Sequence, residues 1–223
     1  MNNFKKICLG LTLIGSISLP LSNIFSLESS SSDSAVPAQS PVVGVQNPAT
    51  FLANFVGTIK QEIQKDQLSL ATSPDKLYAL VEQQVLPHID LDQMAGSALG
   101  VKWNSASPAL QQEFITQFAQ MVTHNYSAGL LKVSDYTFKI YPIRDAVWKQ
   151  EQKISINGLI QPMNGGAGSN VTYYLERSGQ TWKIYDLAIE GISFVSNYRA
   201  QFDSYASLSA LVSALKTLNE KIK

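Results

Sequence analysis

The chain has 223 residues, and its 17 basic and 17 acidic side chains give a formal net charge of zero. This balance, with only three arginines, argues against a nucleic-acid-binding protein, which needs a basic surface for phosphates. The single cysteine excludes an intramolecular disulfide and a cysteine-based zinc site. Charged residues make up 15% of the chain and apolar residues 45%, which suggests that the protein has an apolar surface with a functional role.

The first residues have the pattern of a secretory signal peptide. Two lysines precede an uncharged, leucine-rich run over residues 7–27, and Ser26 offers a small residue for cleavage. We therefore predict a signal peptide over 1–26, with later cleavage after Ala38 as an alternative. An uncleaved membrane anchor is a second alternative, because the run is just long enough to span a bilayer.

A serine-rich segment over residues 27–46 follows the leader and is predicted to be a linker. The only cysteine, Cys8, lies inside the leader. The mature protein would therefore contain no cysteine, which suits an oxidising compartment without the use of disulfides.

The folded domain is predicted over residues 47–223 and begins with helices. Apolar residues recur at amphipathic-helix spacing after each of three pairs in which an N-cap residue precedes a proline. Asp90 and Gln93 have the spacing of a capping box that opens a short helix, closed by Gly100. The three pairs are Asn47-Pro48, Ser73-Pro74 and Ser107-Pro108.

Apolar and polar residues alternate after Lys132, which predicts about four antiparallel strands. A hairpin is expected over residues 170–190, and a regular strand there would place Ile184 and Leu187 on opposite faces. Helical spacing then returns and continues to the end of the chain. Helices, a sheet and further helices within one short domain predict an α+β fold.

Residues that could carry catalysis are few and scattered. His88 and His124 have no second histidine or cysteine at ligand spacing, so we expect no metal site. Asp186 and Glu190 lie four residues apart on a predicted strand, which leaves acid–base chemistry open as an alternative. The sequence predicts no catalytic residue and no enzymatic activity.

Three segments carry a recognisable combination of residues. Leu86-Pro87-His88-Ile89-Asp90 precedes the short helix, while Trp182-Lys183-Ile184-Tyr185-Asp186-Leu187 precedes Glu190-Gly191-Ile192-Ser193-Phe194-Val195. Together with Asn197-Tyr198-Arg199 they resemble the MlaC family of periplasmic phospholipid-binding proteins, also called toluene-tolerance auxiliary proteins. The resemblance extends over roughly residues 48–220.

The resemblance implies an NTF2-like cone, in which about four antiparallel strands wrapped by several helices enclose an apolar cavity. It implies a periplasmic carrier with phospholipid as cargo and no cofactor, which maintains the lipid asymmetry of the outer membrane. The implied partners are an inner-membrane ABC transporter complex of the Mla type and an outer-membrane MlaA-type lipoprotein with its porin. A small enzyme on an NTF2-like scaffold and a periplasmic adaptor protein are the alternatives.

The candidate lipid-binding residues are apolar side chains that the helix and strand patterns direct towards a shared interior. For each of them, ordinary core packing is the alternative. Three polar residues at the start of a late helix are candidates for headgroup contact: Asn197, Tyr198 and Arg199. The candidates for the acyl tails are Val85, Leu86, Ile89, Met94, Leu99, Phe114, Phe118, Met121, Tyr126, Leu130, Tyr173, Leu187, Ile189, Ile192, Val195 and Phe202.

Overall fold

Eight helices and a five-stranded sheet form the part of the chain that this computed structural model describes, residues 44–143 and 146–222. The predicted leader 1–26 and most of the predicted linker 27–46 lie outside these residues. The helices are α1 (Pro48–Lys65), α2 (Gln67–Thr72), α3 (Pro74–Leu80), α4 (Leu91–Leu99), α5 (Val101–Asn104), α6 (Pro108–Leu130), α7 (Phe194–Phe202) and α8 (Leu208–Ile222).

Side-chain caps fix the start of several of these helices, among them α1, α4 and α6. The Oδ1 atom of Asn47 accepts hydrogen bonds from the backbone N–H groups of Ala49 at 2.9 Å and Thr50 at 3.2 Å. Asp90 caps α4 through the N–H of Gln93 at 3.0 Å, and Ser107 caps α6. These starts were predicted from local sequence, and they are confirmed because a cap needs only its own helix.

The chain between α3 and α4 departs from regular α-helix. A π-helical turn over Val81–Val85 continues α3, and a 3₁₀ turn over Leu86–His88 follows. Ile89 then forms an isolated bridge with Ile184, whose carbonyl accepts the N–H of Asp90 at 2.8 Å. This segment therefore joins the helices to the edge of the sheet.

The sheet is an antiparallel meander in which neighbouring strands follow each other along the chain. The four predicted strands are confirmed, and a fifth strand of only two residues follows them. The strands are β1 (Tyr136–Ile140), β2 (Lys153–Pro162), β3 (Ser169–Ser178), β4 (Thr181–Ile189) and β5 (Ile192–Ser193). With helices before and after this sheet, the α+β prediction is confirmed.

A β-bulge in β4 changes which side chains share a face. Leu175 on β3 pairs with Ile184, whereas Tyr174 pairs with Asp186, so Tyr185 is an extra residue on β4. Directly paired residues point to the same side of a sheet. Ile184 and Leu187 therefore lie on the same face, and the expectation that they lie on opposite faces is wrong.

Helix α1 crosses one face of the sheet. It contacts both β1 and β4, and the Lys60 ammonium near its end donates to the carbonyl of Tyr136 at 2.9 Å and lies 5.9 Å from the Phe138 ring centroid. Near the other end, the Trp182 indole N–H donates to the carbonyl of Gln46 at 2.8 Å. These contacts fix the side of the sheet that α1 covers.

Candidate functional site

Apolar side chains of all four long strands point to one face of the sheet, which α1 crosses. The strand registers align these residues in cross-strand pairs, such as Ile156 with Tyr173 and Tyr173 with Leu187. We call this surface the apolar sheet face. It comprises Phe138, Ile140, Ile154, Ile156, Ile160, Val171, Tyr173, Leu175, Trp182, Ile184, Leu187 and Ile189.

Burial on the apolar sheet face is uneven. Leu175 and Trp182 are fully covered, whereas Phe138, Ile154 and Leu187 are only half-buried. Apolar side chains that keep some contact with solvent retain a hydrophobic driving force for a further apolar partner. The face can therefore bind the hydrocarbon part of a ligand.

Tyr173 places a phenol in the middle of this face. The residue is 7% exposed, and burial raises the pKa of its hydroxyl to about 12. Among the described residues, no charged or hydrogen-bonding neighbour contributes to that shift. The hydroxyl therefore lies in apolar surroundings, although its aromatic ring could pack against an acyl chain.

The opposite face of the sheet is polar. The Lys153 ammonium lies 3.4 Å from the carboxylate of Glu176 and 4.9 Å from the ring centroid of Tyr185. Tyr174 and Tyr185 pack at 6.2 Å between ring centroids. We call this surface the outer face, and its polar character makes the sheet amphipathic.

His88 lies beside the helix that covers the apolar sheet face. Its imidazole packs against Phe55 at 5.1 Å and Phe51 at 5.7 Å between ring centroids. Desolvation lowers the pKa of His88 because burial disfavours the charged imidazolium. Its surroundings are those of a packed aromatic side chain.

Many of the predicted tail-binding residues lie in a second region, between α4, α6, α7 and α8. We call this cluster the helical core, and Ile89 and Tyr126 pack against it. It comprises Met94, Ala95, Ala98, Leu99, Phe114, Ile115, Phe118, Met121, Val195, Tyr198, Phe202, Leu208, Leu211, Val212 and Leu215. Seven of these residues were predicted to bind acyl tails: Met94, Leu99, Phe114, Phe118, Met121, Val195 and Phe202.

Aromatic rings in the helical core pack directly against each other. Phe118 lies 5.4 Å from Phe114, 5.7 Å from Phe202 and 5.3 Å from Tyr198, measured between ring centroids. Phe114 and Phe118 have no exposed surface. Rings in mutual contact act as core, so a ligand could reach them only by separating them.

The remaining tail candidates fall into four places. Tyr173, Leu187 and Ile189 lie on the apolar sheet face, and half-buried Leu86 belongs to the 3₁₀ turn. Val85 and Leu130 pack against a cluster of α1, α2 and α3 formed by Ile59, Ile63, Leu70 and Leu77. Ile192 is 58% exposed in β5. The structure thus does not gather the sixteen candidates around one point.

The three headgroup candidates occupy different environments on α7. Asn197 and Arg199 are exposed, whereas Tyr198 is 2% exposed within the helical core. The Tyr198 hydroxyl donates to that of Tyr126 at 3.2 Å, and burial raises the pKa of Tyr198. A Cβ atom at Gly100 would lie 2.4 Å from an Arg199 guanidinium nitrogen, so Arg199 packs over the end of α4.

Both carboxylates considered for acid–base chemistry have structural contacts. Asp186 accepts hydrogen bonds from the N–H groups of Leu187 at 2.8 Å and Val195 at 3.0 Å and from the Ser193 hydroxyl at 2.6 Å. Glu190 accepts the N–H of Asn170 at 2.8 Å. Both therefore hold the turn from β4 to α7. No metal-binding cluster of His, Cys, Asp and Glu occurs in the part of the chain described.

Most of the apolar sheet face was not included in the sequence-based site. Ile156, Ile160 and Ile184 belong to it but were not named as candidates. The alternation of Val171, Tyr173 and Leu175 with more polar residues was the sequence signal that could have identified this face. Within the described ranges, none of the helices is both long enough and apolar enough to cross a membrane.

Comparison with known proteins gives a consistent set of relatives. A family model described as MlaC protein matches residues 53–220. The intermembrane phospholipid transport system binding protein MlaC of Haemophilus influenzae is 24% identical over 166 residues, 73% of each chain. The toluene tolerance protein ttg2D of Pseudomonas putida is 27% identical over 168 residues, covering 75% of this chain and 73% of the relative.

A solved structure has the same fold. It is the phospholipid-binding protein of Ralstonia solanacearum in complex with a phospholipid, and it superposes with a TM-score of 0.70 at 24% sequence identity. The match covers 79% of this chain and 99% of the other. The architecture of a helical layer and an antiparallel meander is therefore shared with that protein.

Proposed function

The chain belongs to the MlaC family, and we propose that it is a periplasmic phospholipid carrier that shields acyl tails on the apolar sheet face. The observation that carries this proposal is an apolar surface contributed by all four long strands and only partly covered. The names of the two curated relatives and the lipid complex of the Ralstonia protein support it. No catalytic step and no cofactor belong to the proposal.

The energetics of lipid transfer explain what such a carrier must provide. Burial of one methylene is worth about 0.8 kcal/mol, so roughly thirty methylenes in two tails make transfer through water cost on the order of 20 kcal/mol. A surface about as apolar as the bilayer removes most of that barrier. Loading and unloading then lie close to equilibrium, and partner complexes can set the direction of transport.

Within the proposed function, the lipid-facing set is drawn from two groups of sequence candidates. Tyr173, Leu187 and Ile189 would contact the tails on the sheet, and Leu86 and Ile89 would border them where the 3₁₀ turn meets β4. The closely packed rings of the helical core would instead stabilise the fold. Exposed Asn197 and Arg199 remain the proposed headgroup contacts.

The proposed carrier works between two membranes. Residues 1–26 would direct its export, and the mature chain would exchange phospholipid with an inner-membrane Mla-type ABC transporter complex. An MlaA-type lipoprotein with its porin would be the partner at the outer membrane. Membership of the family supports these proposed partners, and the apolar sheet face would supply only the lipid-binding step.

Lipid content tests the proposal directly. The protein is expressed in a periplasm, purified without detergent and examined by native mass spectrometry and by solvent extraction. We expect about one phospholipid per chain in the wild type and a several-fold loss in Leu187→Gln, because an amide on this face disfavours a hydrocarbon neighbour.

Ser155→Gln is the matched control, since Ser155 is exposed on the outer face of β2. This variant should keep the lipid content of the wild type. The carrier proposal fails if the wild-type protein carries no lipid. Equal lipid loss in both variants, or in neither, would remove the apolar sheet face as the binding surface.

A further inference from the structure

A pocket of about 590 Å³ lies between α3 with its π-helical turn and α6. One face of each helix forms its walls, because the lining residues recur at three- and four-residue spacing. None of these residues belongs to the predicted lipid-binding set. The lining consists of Pro74, Asp75, Tyr78, Glu82, Gln120, Thr123 and His124.

The charge of the pocket is negative. The carboxylates of Asp75 and Glu82 are exposed, and the lining contains no lysine or arginine. The salt bridges among the described residues involve neither of them. A cation that entered the pocket would therefore meet two carboxylates without displacing a protein cation.

Thr123 gives the pocket a buried polar group. It is 4% exposed, and its hydroxyl has no hydrogen-bond partner among the residues that the structure describes. A buried hydroxyl without a partner is unfavourable. A ligand that presents a hydroxyl or ammonium group would satisfy it, so this observation points to a polar ligand independently of the carboxylates.

Aromatic and amide groups complete the walls. The Tyr78 and His124 rings pack at 4.6 Å between centroids, and aromatic faces attract organic cations. The Gln120 side chain supplies a further donor and acceptor. The neighbouring π-helical turn is a feature that recurs at functional sites.

From these groups we propose that the pocket binds a small organic ammonium compound, with an amino alcohol as the simplest match. The ammonium lies between the carboxylates of Asp75 and Glu82, and the hydroxyl reaches Thr123. Free ethanolamine and the ethanolamine headgroup of a phospholipid share the ammonium, whereas the hydroxyl of the free compound is replaced in the headgroup by a phosphate-ester oxygen, which can only accept a hydrogen bond from Thr123. The lining shares no residue with the apolar sheet face, so amine binding and lipid content can be measured as separate properties.

Titration of the full mature chain with ethanolamine at neutral pH and low salt, followed by amide NMR, tests the site. We expect saturable shifts at residues 75–82 and 120–124, because exposed carboxylates are least screened at low salt. Ethylene glycol, which lacks the ammonium, should cause no saturable shift. A parallel titration with glycerophosphoethanolamine distinguishes the two sources of the ligand. A higher affinity than that for free ethanolamine assigns the site to a lipid headgroup, and a lower affinity assigns it to a free amine.

Variants separate a binding role from a structural role. Asp75→Asn with Glu82→Gln should lower the affinity for ethanolamine about tenfold, since each exposed ion pair is worth only a few-fold. Thr123→Val should lower it about threefold while leaving unfolding stability unchanged or higher, because an unpartnered hydroxyl is removed. The control, Glu151→Gln with Glu220→Gln, removes two exposed carboxylates outside the pocket.

The proposal is overturned if ethanolamine produces no saturable shift, or if ethylene glycol binds equally well. It is also overturned if the pocket variants and the control variants bind with the same affinity. Lipid content, measured on the same samples, should be unchanged in every variant. Loss of lipid carriage and loss of amine binding are thus separate results.

Discussion

The helical core and the apolar sheet face use the same residue types but differ in how completely their side chains are covered. In the helical core, aromatic rings lie 5.3 to 5.7 Å from their neighbours, and Phe114 and Phe118 have no exposed surface. On the apolar sheet face, buried Leu175 lies on the same surface as half-buried Leu187 and Ile154.

This difference separates stability from binding capacity. A set of side chains that fills its own space contributes to unfolding free energy but has no free surface for a ligand. A set that is partly covered contributes less to stability and keeps a driving force for further burial. Substitutions in the two regions should therefore change different measured quantities.

The largest effect is expected in the helical core. Phe118→Ala should lower the free energy of unfolding by about 3–5 kcal/mol, because it leaves a cavity where four rings meet. Chemical denaturation measures the loss, and Leu218→Ala at a 39% exposed position on α8 is the control, with an effect within about 1 kcal/mol. The lipid content of each folded molecule should stay unchanged. A selective loss of lipid would contradict the assignment of the helical core to stability and not to lipid binding.

An intermediate, pH-dependent effect is expected on the apolar sheet face. Because the pKa of Tyr173 is raised to about 12 in the folded protein, its contribution to stability is complete below pH 10. That contribution is lost as the pH rises from about 10 to 12, where the unfolded chain ionises first. The expected loss is about 2–3 kcal/mol.

Tyr173→Phe should remove this part of the alkaline destabilisation and leave stability near pH 7 within about 1 kcal/mol of the wild type. Unfolding curves recorded at several pH values give, for both proteins, the slope of the unfolding free energy against pH. The buried Tyr198 remains in both, so only their difference reports on Tyr173. An identical slope in both proteins would show that the phenol does not lie in apolar surroundings.

The smallest effect is expected at the edge of the helical core. Tyr126→Phe removes the acceptor of the Tyr198 hydroxyl and should lower the free energy of unfolding by about 1 kcal/mol. Tyr205→Phe, at a 36% exposed position after α7, is the control that loses a tyrosine hydroxyl outside this core. Equal losses in the two variants would argue against a specific hydroxyl pair.

Features that depend on neighbouring residues in the chain were predictable from sequence. Asn47, Asp90 and Ser107 cap helices through their own first turns, so their spacing was sufficient. The antiparallel strands were predictable for the same reason, because alternation and the Ser178-Gly179 turn are local signals. These features fix the α+β class.

Features that depend on distant partners were not predictable. Phe118 and Leu187 belong to similar apolar patterns, and only the rings or strands that approach them place one in the helical core and the other on the sheet. The pocket at Thr123 likewise requires the approach of α3 to α6. A single sequence contains the residue types but not these approaches.

The bulge at Tyr185 lets Ile184 and Leu187 point to the same face of the sheet, although three positions separate them along β4. If Tyr185 were paired as in a regular strand, Asp186 and Ala188 would share the face of Ile184, and Leu187 and Ile189 would turn towards the outer face. Deletion of Tyr185 would therefore leave a regular strand in which Ile184 and Leu187 still share the apolar sheet face and keep their partners on β3. The bulge leaves this one residue unpaired and so keeps both halves of β4 in phase with β3.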